Sequence, residues 1–473
     1  MEYRKELQEY LAAHKDEMLA DIKELVDIDS VRTEALPGMP FGEGPAKCLA
    51  KACEIMEKYG LKVTNYDNYV AAGDFGPEER QLDILAHTDV VPVSEADWTV
   101  TKPFEAKIVG DRMYGRGTVD DKGPAIIALY AIRAIKELGL PLKKGVRLIL
   151  GSAEETGSED LEYYFQKETS APATLSPDAE YPLVAIEKGR LATSFTAAFP
   201  TEPKAEGAVL VCFDAGTAVN IVPNKAYALL SGIKADALAE IVKAAEARTG
   251  VSFTLTEEEE GLRIAALGQP AHASTPYMGN NALTGLVDRL AEVPFADAEA
   301  KVLLTAVRTL FPHGDFYGHA LGVDLEDEKS GKTTLTLDIL KIRDGALCGQ
   351  FDSRASIAAT KENTTDVVRE KLTAAGFTPD DSELSSAHIV DPQSPLVKTL
   401  MDIYGEVTGR TEEKPLAIGG GTYVHDIDNG VAFGCEFPEV DNHMHGDDEF
   451  MEIPVMLLSA ELYALAILEL CNA

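Results

Sequence analysis

Gln81–Pro92 reads QLDILAHTDVVP, and Pro124–Gly151 reads PAIIALYAIRAIKELGLPLKKGVRLILG. Leu82–Ala86 is apolar apart from Asp83, and Val146–Leu150 is apolar apart from Arg147. Such runs suit strands buried on most of both faces. Between them Ala125–Leu138 reads as a helix, opened by Pro124 and ended near Gly139. Strand, crossover helix, strand is a βαβ unit, which predicts a parallel sheet with helices on both faces.

Upstream, Leu7, Tyr10, Leu11, Met18, Leu19, Ile22, Leu25 and Val26 recur at helical spacing and predict one amphipathic helix. A second helix is expected over about Pro45–Tyr59, stopping at Gly60, then short strands at Leu61–Tyr66 and Tyr69–Gly73. Past Lys188 the pattern changes. Leu191–Phe199, Thr333–Lys341 and Leu347–Ala359 alternate polar and apolar, with helical patterns at Asp236–Arg248, Ala282–Ala291 and Thr364–Ala375. This predicts a half-exposed sheet with helices on one face. The acidic run Glu257–Glu260 reads as a solvated hairpin turn. After about Ser385 the first style returns, with helix Leu396–Thr408, the turn Gly419–Gly421, strand Val431–Phe433 and an apolar terminal helix. The fold class is therefore α/β in two domains: a mainly parallel α/β domain, residues 1–187 and 385–473, interrupted by an inserted α+β domain, residues 188–384.

The chain has 43 Lys and Arg against 79 Asp and Glu, a formal charge of −36 over 473 residues. That excludes the clustered basic surface a nucleic acid or an anionic membrane needs. Pro454–Leu470 is the most apolar stretch, but Glu461 and Glu469 interrupt it and it falls short of the roughly 20 apolar residues of a spanning helix. A buried terminal helix is expected there. Met1–Glu24 is too densely charged for a signal peptide. The six cysteines form no C-x-x-C pair, which predicts a reducing, cytoplasmic setting.

Several short motifs carry candidate chemistry. His87 and Asp89 lie two apart where a buried strand ends, and open α/β sheets bind ligands beyond such ends. A ligating histidine needs its second nitrogen held by a carboxylate or carbonyl, which Asp89 could supply. Alone, H-x-D is more often structural. Tyr114–Pro124 (YGRGTVDDKGP) brings Asp120 and Asp121 to a Gly-rich loop before a helix. Taken by itself that segment favours helix capping over cation binding. Gly151–Asp160 (GSAEETGSED) places Glu154 and Glu155 after a strand, where one can ligate metal and the other act on a water. An acidic solvated loop is the ordinary alternative. Asp178 lies in SPDAE and His445 in a late Met-His, with His443 as a competitor. Together, two histidines (His87, His445) and three carboxylates (Asp120, Glu155, Asp178) suit two divalent ions sharing one carboxylate, ~3.5–4 Å apart. Glu154 is left to carry a proton from water to a leaving amine.

The order and spacing of HTDVVP, Trp98, Pro103–Glu105, YGRGTVDDKGP, AEETGSED, SPDAE and the late MH resemble the M20 metallopeptidases, and within them the PepV-type dipeptidases. The resemblance spans nearly the whole chain and makes the interrupted domain catalytic and the insert a lid. It implies that Asp120 bridges the metals, with His87 and Asp178 completing one site and Glu155 and His445 the other. Glu154 becomes general base and then acid, Asp89 orients His87, and the Asp120–Asp121 peptide is cis. His272, in QPAHASTP, is implied to stabilise the oxyanion, and Asn220 and Arg354 to bind substrate. Arg354 could pair with a substrate carboxylate. An exposed strand arginine is its ordinary alternative. The turn Gly419–Gly421 with Thr422 could offer backbone N–H groups to the same carboxylate, through Gly420, Gly421 and Thr422. Two departures stand out: Gly446 replaces a polar side chain after the late histidine, and Ala355 a proline after Arg354. The resemblance implies a dipeptidase acting on a free amino terminus, holding two divalent ions, zinc first with manganese or cobalt also accepted. The substrate would be a small peptide, and an enlarged lid favours a monomer over a dimer. An M20 amidohydrolase of other specificity, such as a deacylase or desuccinylase, and a non-catalytic binder are the alternatives.

Overall fold

A computed structural model describes residues 3–200 and 207–473. They form two compact units. The first comprises Met1–Ile186, His388–Leu416 and Gly421–Ala473, and the second Glu187–Ala387 with Ala417–Gly420.

The first unit is built on strands Gly145–Gly151, Arg80–His87, Ala173–Ser176 and Gly430–Ala432, mutually parallel and adjacent in that order. Val70–Phe75 and Lys62–Tyr66 continue the sheet antiparallel beyond Gly145–Gly151. Alternation along the strands sorts the two faces. Ala71, Ile84, Leu148 and Leu150 enter a core with the helices Arg4–Ala13, Lys15–Val26, Glu43–Lys58, Lys122–Glu137 and Ile453–Asn472. Val70, Leu85 and Ile149 face a small cluster with Leu161, Tyr164 and Tyr423. So helices do not cover both faces equally: among the described residues, the second face packs against the short helix Glu159–Tyr164 and the turn Tyr423–Asp426.

Lys122–Glu137 is buried from Lys122 through Ile135, as a crossover helix with apolar residues on all sides must be. The terminal helix Ile453–Asn472 is long and apolar enough to cross a membrane, but two thirds of its most apolar window is buried in this unit. The single N-terminal helix expected from the sequence is instead two, broken at His14. That residue leaves helical geometry, and its ring Nδ1 donates back to Tyr10 O at 2.8 Å while stacking on the Tyr10 ring.

The second unit is an antiparallel sheet, in the order Ser252–Glu258, Gly261–Leu267, Lys225–Ser231, Val209–Ala215, Thr334–Arg343, Ala346–Ala355, Gly189–Ala198, Thr378–Pro379. Helices Ala235–Thr249, Ala282–Leu290, Ala298–Leu310 and Asp366–Ala374 share its core. Glu258 pairs with Gly261, so Glu259 and Glu260 form a two-residue hairpin turn.

Candidate active site

Parallel strands end together, so the loops after them meet at one edge of the sheet. His87 closes its strand, Glu154 and Glu155 open a short turn after Gly151, and Asp178 follows Ser176. Asp120 precedes the helix Lys122–Glu137, with a cis bond to Asp121, and His445 lies in the segment after Gly430–Ala432.

These side chains converge. Asp120 presents one oxygen to each imidazole: Oδ1 is 2.9 Å from His87 Nε2, and Oδ2 is 2.7 Å from His445 Nε2. Asp178 Oδ2 lies 3.7 Å from His87 Nε2, and Glu155 Oε1 lies 3.3 Å from His445 Nε2. Ligand atoms of His87, Asp120 and Glu155 fall within 4.8 Å of one another, as do those of His87, Glu154 and Asp178. The sequence set Glu154 apart from the ligands, yet its carboxylate reaches the same cluster.

The donors fit a metal. His87 Nε2 and Glu155 Oε1 are buried and near charged neighbours, yet neither makes a well-directed hydrogen bond. Both residues belong to a group whose side-chain ligand atoms lie within 4.8 Å of one another, the spacing that ligands of one ion have. His87 Nδ1 donates to Asp89 O at 3.0 Å, which fixes Nε2 as the nitrogen whose lone pair faces the cluster.

Electrostatics describe the same pocket. Burial alone would raise Asp120, but the His445 and His87 imidazoles beside it hold it well below the usual carboxylate range. Burial opposes charge on His445, yet Asp120 and Glu155 push it up to about 11. Burial, then the charge of Asp120, raises Glu155 to about 7. Burial raises Glu154 well above the ordinary value, opposed by His87 and reinforced by Asp178. Metal binding would displace such protons.

Supports lie beneath the cluster: Asp89 was expected beside His87, whereas the parts of Asp121 and Asp160 went unread. Asp89 orients His87 through its carbonyl, while its carboxylate accepts the backbone N–H groups of Glu154 and Glu155, each at 3.2 Å. Asp121 Oδ2 accepts His87 N at 3.0 Å. Asp160 Oδ2 accepts Ser152 N at 2.6 Å and Ala153 N at 2.9 Å, and also the Tyr423 hydroxyl. Tyr423 in turn stands edge-on to the His87 ring. These carboxylates were printed in the motifs, but an acid buried under a loop reads the same as a solvated one.

The remaining candidates are placed as follows. His443 has Nδ1 2.9 Å from Asp447 O and its ring against Phe450, whereas His445 Nε2 meets Asp120 and Glu155, so His445 is the imidazole of the cluster. Thr422 Oγ1 accepts Val424 N at 3.3 Å and caps the Tyr423–Asp426 turn; Gly421 is exposed. In the second unit, Asn220 O accepts Ala273 N at 2.9 Å, and His272 bridges Ile221 and has Nδ1 2.6 Å from Ser274 Oγ. Arg354 is not an exposed strand arginine. It is buried, with Nε 2.7 Å from Asp352 Oδ1, Nη2 3.2 Å from Oδ2, and Nη1 on Gly419 O. A Cβ on Gly419 would sit 2.7 Å from Ser274 Cβ and 3.2 Å from Arg354 Cβ, so only glycine lets that turn, which Gly420 continues, pack there.

Two imidazoles and four carboxylates gathered at the carboxyl ends of parallel strands define a metal-dependent hydrolase. The chain belongs to Peptidase family M20/M25/M40, whose family model matches residues 84–469. It is 35% identical over 461 residues to "Putative dipeptidase YtjP" of Bacillus subtilis (strain 168), covering 97% of this chain and 98% of the relative. It is 32% identical over 475 residues to the Beta-Ala-Xaa dipeptidase of Lactobacillus delbrueckii subsp. lactis, covering 98% of each. Among solved structures, human carnosine dipeptidase 1 superposes with a TM-score of 0.60 at 16% identity, over 100% of this chain and 99% of that one. That last likeness is one of fold.

Proposed function

We propose that this chain is a metal-dependent dipeptidase cleaving dipeptides that carry a free amino terminus. The carrying observation is the Asp120 carboxylate set between two imidazoles, one oxygen to each. Its full-length likeness to a Beta-Ala-Xaa dipeptidase supports the substrate class. Asp120 would hold two divalent ions, with His87 and Asp178 on one and Glu155 and His445 on the other. Bound ions would supply an activated water and a polarised scissile carbonyl. The Glu154 carboxylate would take the proton of the attacking water as its oxygen bonds the carbonyl carbon. The same carboxyl would pass that proton to the amide nitrogen as the C–N bond breaks. Asp89 orients the His87 ring and holds the Glu154–Glu155 backbone. The proposal also includes His272 as oxyanion donor, and Asn220, Arg354, Gly420, Gly421 and Thr422 as substrate contacts.

Zinc is the proposed ion, because imidazole with carboxylate suits it; manganese and cobalt use the same donors. We also propose a monomer. The edge strand Ser252–Glu258 runs into the acidic turn Glu259-Glu260, and like charges there oppose pairing of two such edges. The six cysteines are free, which supports a cytoplasmic setting. The test is a dipeptide panel offered to metal-stripped protein re-supplied with zinc, manganese or cobalt, with N-acetylated dipeptides alongside. Turnover restored by metal on free-amine dipeptides is expected. Preference for the acetylated forms would instead favour a deacylase.

A further inference from the structure

Two of the loops that feed the cluster are joined by a buried ion pair with no part in the chemistry above. Arg116 lies four residues before Asp120, and Glu449 four residues after His445. Their side chains are 2% and 0% exposed. Arg116 Nη1 donates to Glu449 Oε2. The other carboxylate oxygen, Oε1, accepts Gly117 N at 2.9 Å and Val119 N at 3.0 Å, the backbone that leads into Asp120. Arg116 Nη2 donates to Gly446 O at 2.8 Å, next to His445. The backbone adds Gly115 N to Glu449 O at 3.0 Å. Each loop therefore supplies buried polar partners to the other, and removing either side chain leaves the other without its charged partner.

We infer that Glu449, with Arg116, is a positioning residue. It locks the Asp120 loop to the His445 loop, so that Asp120 meets both imidazoles at bonding distance. This rests on the metal reading of the cluster. The physical reason is that loops are the mobile part of a fold, whereas two metal sites sharing one carboxylate tolerate little displacement. A carboxylate accepting two N–H groups and an arginine holds its loop by charge-assisted bonds. Supporting groups behind ligands typically set metal affinity by about 10- to 100-fold.

The test compares Glu449→Gln with Asp21→Asn. Gln has one acceptor oxygen, so its NH2 must face either Arg116 or the Gly117 and Val119 N–H groups, donor against donor. Asp21 is a buried carboxylate on the helix Lys15–Val26, bonded to Tyr59, Tyr130 and Lys58, none of them a ligand of the cluster. Zinc affinity of the stripped proteins is read by chelator competition, with kcat and KM for a dipeptide measured separately. For Glu449→Gln we expect zinc to bind about 10- to 100-fold more weakly and kcat to fall more than KM changes, with Asp21→Asn unaffected in both. Wild-type zinc affinity in Glu449→Gln overturns the inference, as does an equal loss in both variants, which would mark a merely structural role. If Glu449→Gln does not fold, Arg116→Lys decides by the same criteria. It keeps a charge for Glu449 but loses the donor to Gly446 O, and zinc affinity at the wild-type level overturns the inference. Wild-type protein that binds no zinc at all fails the underlying metal reading as well, which separates the two failures.

Discussion

Gly151 occupies the hinge between a buried strand and the acidic turn, and its missing side chain is what lets Tyr423 approach. A Cβ added there would lie 1.9 Å from Tyr423 Oη, 2.5 Å from Tyr423 Cζ and 2.5 Å from Asp160 Oδ2. Ordinary contact begins near 3.4 Å, so in Gly151→Ala the ring has to retreat by about 1.5 Å. It has nowhere free to go, since Tyr423 is packed with Leu85, Ile149 and Leu161. Overpacking of this kind costs about 1–3 kcal/mol. Pulling the hydroxyl from buried Asp160 adds about 1–3 kcal/mol for a charged acceptor left short of a donor. We expect a loss of roughly 3 kcal/mol in a urea titration followed by fluorescence. Zinc affinity should fall too, because Asp160 also holds the Ser152 and Ala153 amides that lead to Glu154. In Gly151→Ala/Tyr423→Phe the nearest overlap disappears, so the double variant should lose clearly less than the two single losses summed. Gly151→Ala within about 0.5 kcal/mol of wild type, or strict additivity in the cycle, would refute the packing argument.

Glu154→Gln should keep zinc binding and folding while kcat falls by about 10²–10⁴-fold, as removal of a general base and acid does; steady-state kinetics beside a zinc titration checks this. Stripping the metal should lower Tm, and zinc at about 100 times its Kd should restore about 2.7 kcal/mol, read by calorimetry. Asp338→Asn should stabilise the second unit, and more so at high pH. Burial, then the charge of Asp352, raises the Asp338 carboxyl to about 10. Because the folded pKa exceeds the unfolded one, stability is lost as pH rises from near 4 towards 10, and the asparagine variant escapes that loss. Thermal melts at pH 5 and pH 9 would show the gain widening; a gain that shrinks with pH sinks the argument.

Burial patterning made the centre of the first unit legible. Leu82–Ala86 and Val146–Leu150 are apolar enough to announce buried strands, and each lies within an observed strand. The residues brought into one cluster lie at the ends of such strands, as His87, Glu154, Glu155 and Asp178 do, or in the motif before a helix, as Asp120 does. Other parts carried weaker signals. Ala298–Leu310 is a helix with Asp297 capping Glu299 N, and Leu303, Leu304, Val307 and Leu310 are buried at helical spacing, yet it went unread. Val209–Ala215 was missed because the exposed Val211 hides its alternation, and Lys225–Ser231 because small residues dilute it. The break at His14 depends on one side chain returning to Tyr10 O, which no periodicity encodes. Asp121 was read only as a helix cap or cation ligand, and Asp160 and Glu449 were invisible for a plain reason: in a chain of charge −36, two more acids look like solvent-facing ones until their backbone partners are seen.

The parallel strand Gly430–Ala432 lies beside Ala173–Ser176, with the whole second unit encoded between them. During synthesis, His87, Asp120, Glu155 and Asp178 leave the ribosome long before His445 and Glu449. A nascent or prematurely ended chain thus displays five of the cluster's six residues without His445, and without the strand Gly430–Ala432 that lies beside Ala173–Ser176. Completion of the metal cluster is thereby tied to completion of translation, and a truncated product cannot assemble it.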